Sequence, residues 1–597
     1  MSNPRSLFTP FLIILLCATF APGPAEADNK APAPEEYNAT FFWALHASDS
    51  IEDRAGFFLD QQYAQWVRRE NRDQEAIQNH CSPPGKISIP DWAEPLPRPR
   101  DEIICQTVYQ TAGLSTYPPL AQIQALAFPE GVLALITINH KNFKLWFSGP
   151  RWIAPGDVRK IVFTDRGRLL ITTDAANTLI GGELMTLEEK ALHFEKIAQA
   201  RHNRDGMISD CTLTTPGDVS SYKLRDDDND GQWSEMYLAA ESFRWAVTQD
   251  PAAHANAQHT FRAMIKLLTI APVKGFPARS VLPAHQCPGA DPQNWRMLPG
   301  GAECWKSDTS VDELVGHYFG LPIYYDLVAD DQEKETIRRA IADLTDYILD
   351  NGLRLVDENG QVTTHGNWDP EWVNTVGRTG DQGLNSAQAL NALLSAHHIT
   401  GNNRYLNKYH ELIKEHGYHK NALKWKEIGD RFQVNHDSDE MGFLSFYNLL
   451  RYEDDDAIRK YYIEGLRRAW ETDLPERNPE QIIIYGAFAK ENFRLDLAVR
   501  TLREIPLDLI KWSVHNSIRT DLPRDPDPDR FVKAQSAFVP PYTETRTMRW
   551  SENMYLLDVD DGGRSEAMPV FWLLPYWMAR YHGMIQQPQN PDSKSKD

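Results

Sequence analysis

The groups best able to do chemistry in this chain fall in a few short polar segments, each standing just ahead of an apolar run. In the stretch from Ser307 to Tyr318, a helix beginning near Ser310 puts Glu313 and His317 one turn apart on the same face. A carboxylate and an imidazole so placed can share a proton, which is what general acid or base work needs. Asp308 and Asp312 flank that helix start and Tyr318 follows it, so all five are candidate catalytic groups. A capped helix with an internal Glu/His pair is the plain alternative. The pair is not H-E-x-x-H and lacks a third ligand nearby, which is too sparse for zinc.

A second segment carries Asp226, Asp228 and Asp230 ahead of Gly231 and Trp233. Alternating carboxylates before a glycine match the first half of a calcium loop, but the twelfth position is Tyr237 where a bidentate Glu is needed. Three readings stay open for it: a simpler calcium site, a sugar-facing loop, and an acidic cap at the positive end of the next helix. His365, Asn367, Trp368 and Trp372 make a third group, and His436 with Asp437 and His202 with Arg204 make two more. Loops that mix Trp with Asn, Asp, His and Arg suit sugar recognition, because an aromatic plane covers the apolar ring face while polar groups take the hydroxyls. Loop-anchoring tryptophans and simple caps have the same composition. What raises these groups above that reading is their common position ahead of helices.

Those helices dominate the chain beyond Met185. Apolar residues recur at three- and four-residue spacing at Trp233 to Val247, Phe261 to Leu268, Ile337 to Ile348, Leu390 to His397 and Tyr405 to Ile413, the last three followed by Gly352, Gly401 and Gly417 as stops. Further helices are predicted over Met441 to Leu450, Ala457 to Trp470, Leu495 to Arg503 and Met568 to His582. So many paired helices exceed a four-helix bundle. The spacing, with Trp and Tyr at helix ends and long polar loops between, resembles the six-hairpin (α/α) toroid of glycoside hydrolases and polysaccharide lyases. That resemblance is architectural, covers about residues 185–584, and rests on no single catalytic motif. An open α-solenoid is the rival, although its repeats should share a consensus that is not visible here.

Before the helical region the predicted organisation is a signal peptide over 1–27, an irregular region over 28–119 with one helix from about Ile51 to Asn79, and a small β-rich subdomain over 120–184. The run from Val158 to Ile180 resembles one blade of a sensor-type β-propeller, too little to make a propeller. Residues 585–597 read as a polar, disordered tail. Arg5, the apolar run Phe11 to Phe20 and Ala25-Glu26-Ala27 have the order of a secretory signal cleaved near Ala27, implying a periplasmic or extracellular protein without stable membrane insertion. In an oxidising compartment Cys81 could pair with Cys105 and Cys287 with Cys304, leaving Cys211 over.

The net charge of −21, with no long basic run, argues against a nucleic-acid partner and mildly disfavours a polyanionic substrate unless a local basic groove defeats the average; the partner expected from the aromatic and polar loops is a poly- or oligosaccharide. Two glycan reactions fit the residues, with no cofactor required beyond a possible calcium ion. Hydrolysis needs one protonated carboxyl and one carboxylate, which the Asp and Glu groups supply in excess. A lyase acting on a uronate by β-elimination needs His or Tyr as base, with Arg or Asn to neutralise the substrate carboxylate. A non-catalytic glycan-binding protein would use the same aromatic cleft without a titratable pair.

Overall fold

The computed structural model describes residues 58–60, 62–70, 81–83, 88–110, 122–138, 141–164, 167–288, 294–375, 379–426, 435–489, 492–547 and 549–587. The expected signal peptide and much of the irregular region lie outside these residues.

Twelve long helices carry the architecture: α1 (Leu187–Ile197), α2 (Asp230–Thr248), α3 (Pro251–Thr269), α4 (Val311–Leu327), α5 (Asp331–Asp350), α6 (Thr379–Thr400), α7 (Asn403–Lys414), α8 (His436–Tyr452), α9 (Asp456–Asp473), α10 (Pro479–Gly486), α11 (Leu495–Glu504) and α12 (Val570–Tyr581). Helix α2 packs on α4, α4 on α6, α6 on α8, α8 on α10, α10 on α12, and α12 back on α2, so six helices close an inner ring. The next helix in the chain lies outside each of the first five. The sixth hairpin joins the two ends of the region, with α1 packed on α12. This is an (α/α) toroid, and the closure excludes the open solenoid.

The two layers differ in composition because they differ in burial. Every residue of α4 from Glu313 to Tyr324 and of α12 from Val570 to Arg580 is buried, as a helix surrounded by protein requires. Outer helix α5 instead buries only Ile337, Ala340, Ile341, Leu344, Thr345 and Ile348, a single stripe. Two glycines let α4 approach α2 closely. A Cβ on Gly316 would lie 2.6 Å from the Gln232 Cα, and one on Gly320 would lie 2.5 Å from the Glu235 carbonyl oxygen.

Nine strands precede the ring: β1 (Phe58–Leu59), β2 (Tyr63–Glu70), β3 (Cys105–Gln110), β4 (Gln122–Phe128), β5 (Gly131–Ile138), β6 (Lys141–Ser148), β7 (Val158–Phe163), β8 (Leu169–Thr173) and β9 (Asn177–Met185). Strands β2 to β9 form two four-stranded antiparallel sheets, in the orders β2-β9-β8-β7 and β3-β4-β5-β6. Ala125, Val132, Ile136, Phe147, Ile161, Ile171 and Ile180 belong to the core of this β-region. The helix expected over 51–79 is corrected here: its central part is strand β2, paired with β9 from Tyr63 opposite Met185 to Glu70 opposite Thr178. The β-region therefore reaches back beyond residue 120 to include β2 and β3. At the other end, Ile585–Gln586 forms a short parallel pair with β1, and the remainder of the expected tail, 588–597, lies outside the described residues.

Both expected disulfides, Cys81 to Cys105 and Cys287 to Cys304, are present, and Cys211 is a buried free thiol. Residues 505–569, between α11 and α12, contain no long helix and bridge the β-region to the ring. There Trp152 Nε1 donates to the Thr543 carbonyl (2.8 Å), Arg151 to Thr547 Oγ1 (2.6 Å) and the Trp146 backbone N–H to Glu544 Oε1 (3.0 Å). Among the described residues no helix is long and apolar enough to cross a membrane.

Candidate active site

The starts of α2, α4, α8 and α10 each carry acidic side chains: Asp230, then Asp312 and Glu313, then Asp437 and Glu440, then Glu480. Asn229, Ser310 and Asn435, the residues before α2, α4 and α8, make no side-chain capping bond. The dipoles of these helix starts put partial positive charge at one mouth of the ring, which favours anionic groups there.

Hydrogen bonds tie the polar loops together at this mouth. Arg279 donates to Asp228 (2.7 Å) and to the Asp308 carbonyl (3.2 Å), joining the loop before α2 to the loop before α4. Asp308, at φ 52°, accepts from the Thr364 backbone N–H (2.9 Å) and hydroxyl (3.0 Å), which brings in the segment carrying His365. Arg549 donates to Asp227 (3.0 Å) and lies over the Trp233 ring at 4.5 Å. Electrostatics place Asp437 in the same group: burial raises its pKa, Arg549 opposes that, and the Asp312 carboxylate raises it further. Asp312 is also raised, by burial first, while its hydrogen bond from Ser310 Oγ (3.1 Å), Arg279 and His365 act against the rise. Four loops that are distant in sequence thus meet around the Asp312 and Asp437 carboxyls.

The other expected site residues take different places. Glu313 is completely buried with neither oxygen hydrogen-bonded, so it does not pair with His317 as the helical spacing suggested. A Cβ on Gly231 would lie 1.9 Å from Glu313 Oε2, so α2 supplies the space this carboxyl fills. Burial holds the Glu313 pKa well above the carboxylate range, leaving it neutral. His317 instead bonds Glu235 through Nδ1 (2.9 Å), and burial lowers its pKa to about 3. Tyr318 faces outward to Thr345 of α5 (2.8 Å). His436 is buried and its pKa falls to about 4 by desolvation, so it is neutral beside Asp437.

Among the residues expected to bind sugar, Trp368 is 2% exposed, donates to Gln388 (3.2 Å) and accepts from Tyr418 at its carbonyl (2.7 Å); it anchors its loop. Trp372 packs against the ring core, Asn367 receives the Asp369 backbone N–H (2.9 Å), and only His365 of this group is exposed near the carboxyl pair. Trp233 is buried beneath Arg549. Arg204 is buried and braces Asp230, to which Ser280 also donates. His202 donates from Nδ1 to the Ser209 carbonyl (2.8 Å), with Cys211 and Glu566 beside it, and Glu566 is held by Arg201 through two bonds of 2.6 and 2.7 Å.

The three aspartates read as possible calcium ligands do not converge. Lys306 holds Asp228 (2.7 Å) and Asp226 (3.4 Å), Arg279 holds Asp228, and Arg204 holds Asp230. Cations of the protein occupy the positions around these oxygens, so the loop is built for internal ion pairs.

Sequence reasoning missed Arg279, Arg530, Arg549 and Ser551. They lie outside the periodic helices, and the run Arg546 to Asn553 has the mixture of Trp with Arg and Asn that singled out the group at His365. Applied to 505–569, that criterion would have found it. A cavity of about 260 Å³ opens beside Asp437, between the start of α8 and the segments 529–535 and 546–556.

The fold and site together define an (α/α) toroid with a carboxyl-rich mouth. The chain matches no protein-family model and no curated protein sequence. Among solved structures, a sugar epimerase from a ruminal bacterium is similar over 66% of this chain and 98% of its own, at 10% identity and a TM-score of 0.34. The cellobiose 2-epimerase of Spirochaeta thermophila matches 66% of this chain and 96% of its own, at 14% identity and a TM-score of 0.35. AaCel9A in complex with cellobiose-like isofagomine matches 80% of this chain and 99% of its own, at 14% identity and a TM-score of 0.32. These likenesses are distant, and the toroid assignment rests on the helix contacts themselves.

Proposed function

We propose that this chain is an exported carbohydrate-active enzyme that hydrolyses glycosidic bonds of a poly- or oligosaccharide, with Asp312 and Asp437 as its acid/base pair. The observation that carries the reading is that the Asp312 carboxyl, from one helix start, sits close enough to raise the pKa of Asp437, from another, at the open mouth of the ring beside a cavity. Hydrolysis needs such a pair of groups with different environments. Half-buried Asp312, which makes no ion pair, is suited to stay protonated and give its proton to the glycosidic oxygen. Asp437 is the more exposed of the two, Arg549 and Arg530 oppose the rise that burial gives it, and it takes a proton from the attacking water. The C–O bond breaks, the water oxygen joins the sugar carbon, and proton exchange with solvent resets both carboxyls. Glu313 and Glu440 beneath them form a desolvated floor. The two disulfides suit the oxidising compartment that export implies.

A lyase is the second reading, favoured by the arginines Arg279, Arg530 and Arg549 and by His365, which could neutralise a uronate carboxylate and accept its neighbouring proton. Incubating the purified protein with a polysaccharide panel, while following reducing ends and the ultraviolet absorbance of unsaturated uronates, separates the readings. Hydrolysis gives reducing ends without new absorbance. Both signals together would replace hydrolysis by elimination, and neither, with glycan binding retained, would make the chain a binding protein.

A further inference from the structure

We propose that the cavity beside Asp437 is a subsite for an anionic sugar, gripped by the loop from Asp529 to Lys533; this inference rests on the glycan-cleaving reading above and names its substrate class. The cavity wall includes Arg530, Phe531, Lys533 and Ser551, and also the acidic residues Asp437, Asp473, Glu476, Asp529 and Glu552. Among the described residues, neither Arg530 nor Lys533 has a carboxylate within ion-pair distance, whereas Arg279, Arg546 and Arg549 at the same mouth are each paired with Asp or Glu. Two cations that close no ion pair in the wall of an otherwise acidic cavity are suited to an anion on the ligand, and a guanidinium can hold a carboxylate or sulfate through two parallel bonds.

The loop that presents them is fixed. Asp529 is buried, and its Oδ1 accepts from the backbone N–H groups of Phe531 (2.9 Å) and Lys533 (2.7 Å), while its own N–H donates to the Lys533 carbonyl (2.9 Å). This closure holds Val532 at φ 62°, a conformation that β-branched residues rarely adopt and that persists only where surrounding bonds enforce it. The result is that Phe531 is 67% exposed at the cavity edge, with the Arg530 guanidinium 4.9 Å from its ring centre. An exposed aromatic beside an unpaired guanidinium offers one sugar unit both a stacking face and an anion partner.

The test is titration and kinetics with a galacturonate trisaccharide, a sulfated galactose trisaccharide and a neutral galactose trisaccharide, using wild type, an Arg530→Ala/Lys533→Ala double variant and Asp312→Asn. The wild type should bind one of the anionic probes about ten- to a hundredfold more tightly than the neutral one, the range for charge-assisted hydrogen bonds. Preference for the galacturonate assigns a carboxylate, and preference for the sulfated probe assigns a sulfate ester. The double variant should lose that preference in equilibrium binding, while Asp312→Asn keeps the binding and loses turnover. Equal wild-type affinity for charged and neutral probes, or a double variant that still discriminates, would overturn the subsite. If no probe or polysaccharide is cleaved yet the double variant loses anionic binding, the subsite stands and the cleavage reading fails.

Discussion

At the scale of the residue, the ring mouth is unusual for the number of carboxyls it removes from water without a partner. Glu313, Glu440 and Glu480 are buried with no hydrogen bond to either oxygen. Leaving such a group ionised would cost several kcal/mol, so it is kept protonated instead. Burial raises Glu440 to about 8, against 4.5 for an ordinary glutamate. The folded state therefore holds a proton that the unfolded chain has released above pH 4.5. The stability this contributes is complete below about pH 4.5 and is lost as pH rises through about 8. Melting temperature should accordingly fall across that window, and Glu440→Gln, which cannot ionise, should fall less steeply. An identical slope in the variant would show that Glu440 is ionised in the fold. The individual site residues were only partly legible in the sequence. Asp312 and Asp437 stand at helix starts, which periodicity reveals, but whether Glu313 meets His317 or faces Gly231 depends on the neighbouring helix, which periodicity cannot supply.

At the scale of the element, α2 and α4 approach closely at Gly316 and Gly320, where a side chain would meet backbone atoms that cannot move aside. Gly316→Ala or Gly320→Ala should separate the two helices and cost about 1–3 kcal/mol, the range for overpacking a core. Urea unfolding measures it, and unchanged midpoints would mean that the contact is looser than described. The same pair of helices carries Asp230 and Asp312, so activity should fall with stability. Helices were legible because each outer one carries its own apolar stripe and several end at a glycine, such as Gly401 at φ 69° after α6. Strand β2 was not, because Tyr63 to Glu70 lacks clean alternation and its partner β9 lies more than a hundred residues later. Strand pairing at that separation leaves no local trace.

At the scale of the whole molecule, the β-region and the ring are joined through residues 505–569, with buried Arg151 at the centre of the contact. It donates to Thr547 Oγ1 and to the carbonyl oxygens of Asp508 and Ile510. Arg151→Ala would leave Thr547 Oγ1 and the Asp508 carbonyl without that donor, while Ile510 keeps its bond from the Trp512 N–H, at a cost of about 1–3 kcal/mol. Calorimetry should then show the β-region melting ahead of the ring, and a single unshifted transition would mean that other contacts dominate the junction. The same segment continues into Arg549 and Ser551 at the mouth, so the junction and the site share one piece of chain.

The central claim is that Asp312 and Asp437, brought together by the closing of the ring, cleave a glycosidic bond. Its most direct test is reducing-end release by wild type, Asp312→Asn and Asp437→Asn from a polysaccharide that the panel shows to be degraded, with circular dichroism confirming that all three are folded. Each substitution should lower turnover by about two to four orders of magnitude while the glycan still binds. Near wild-type turnover in either folded variant would contradict the account.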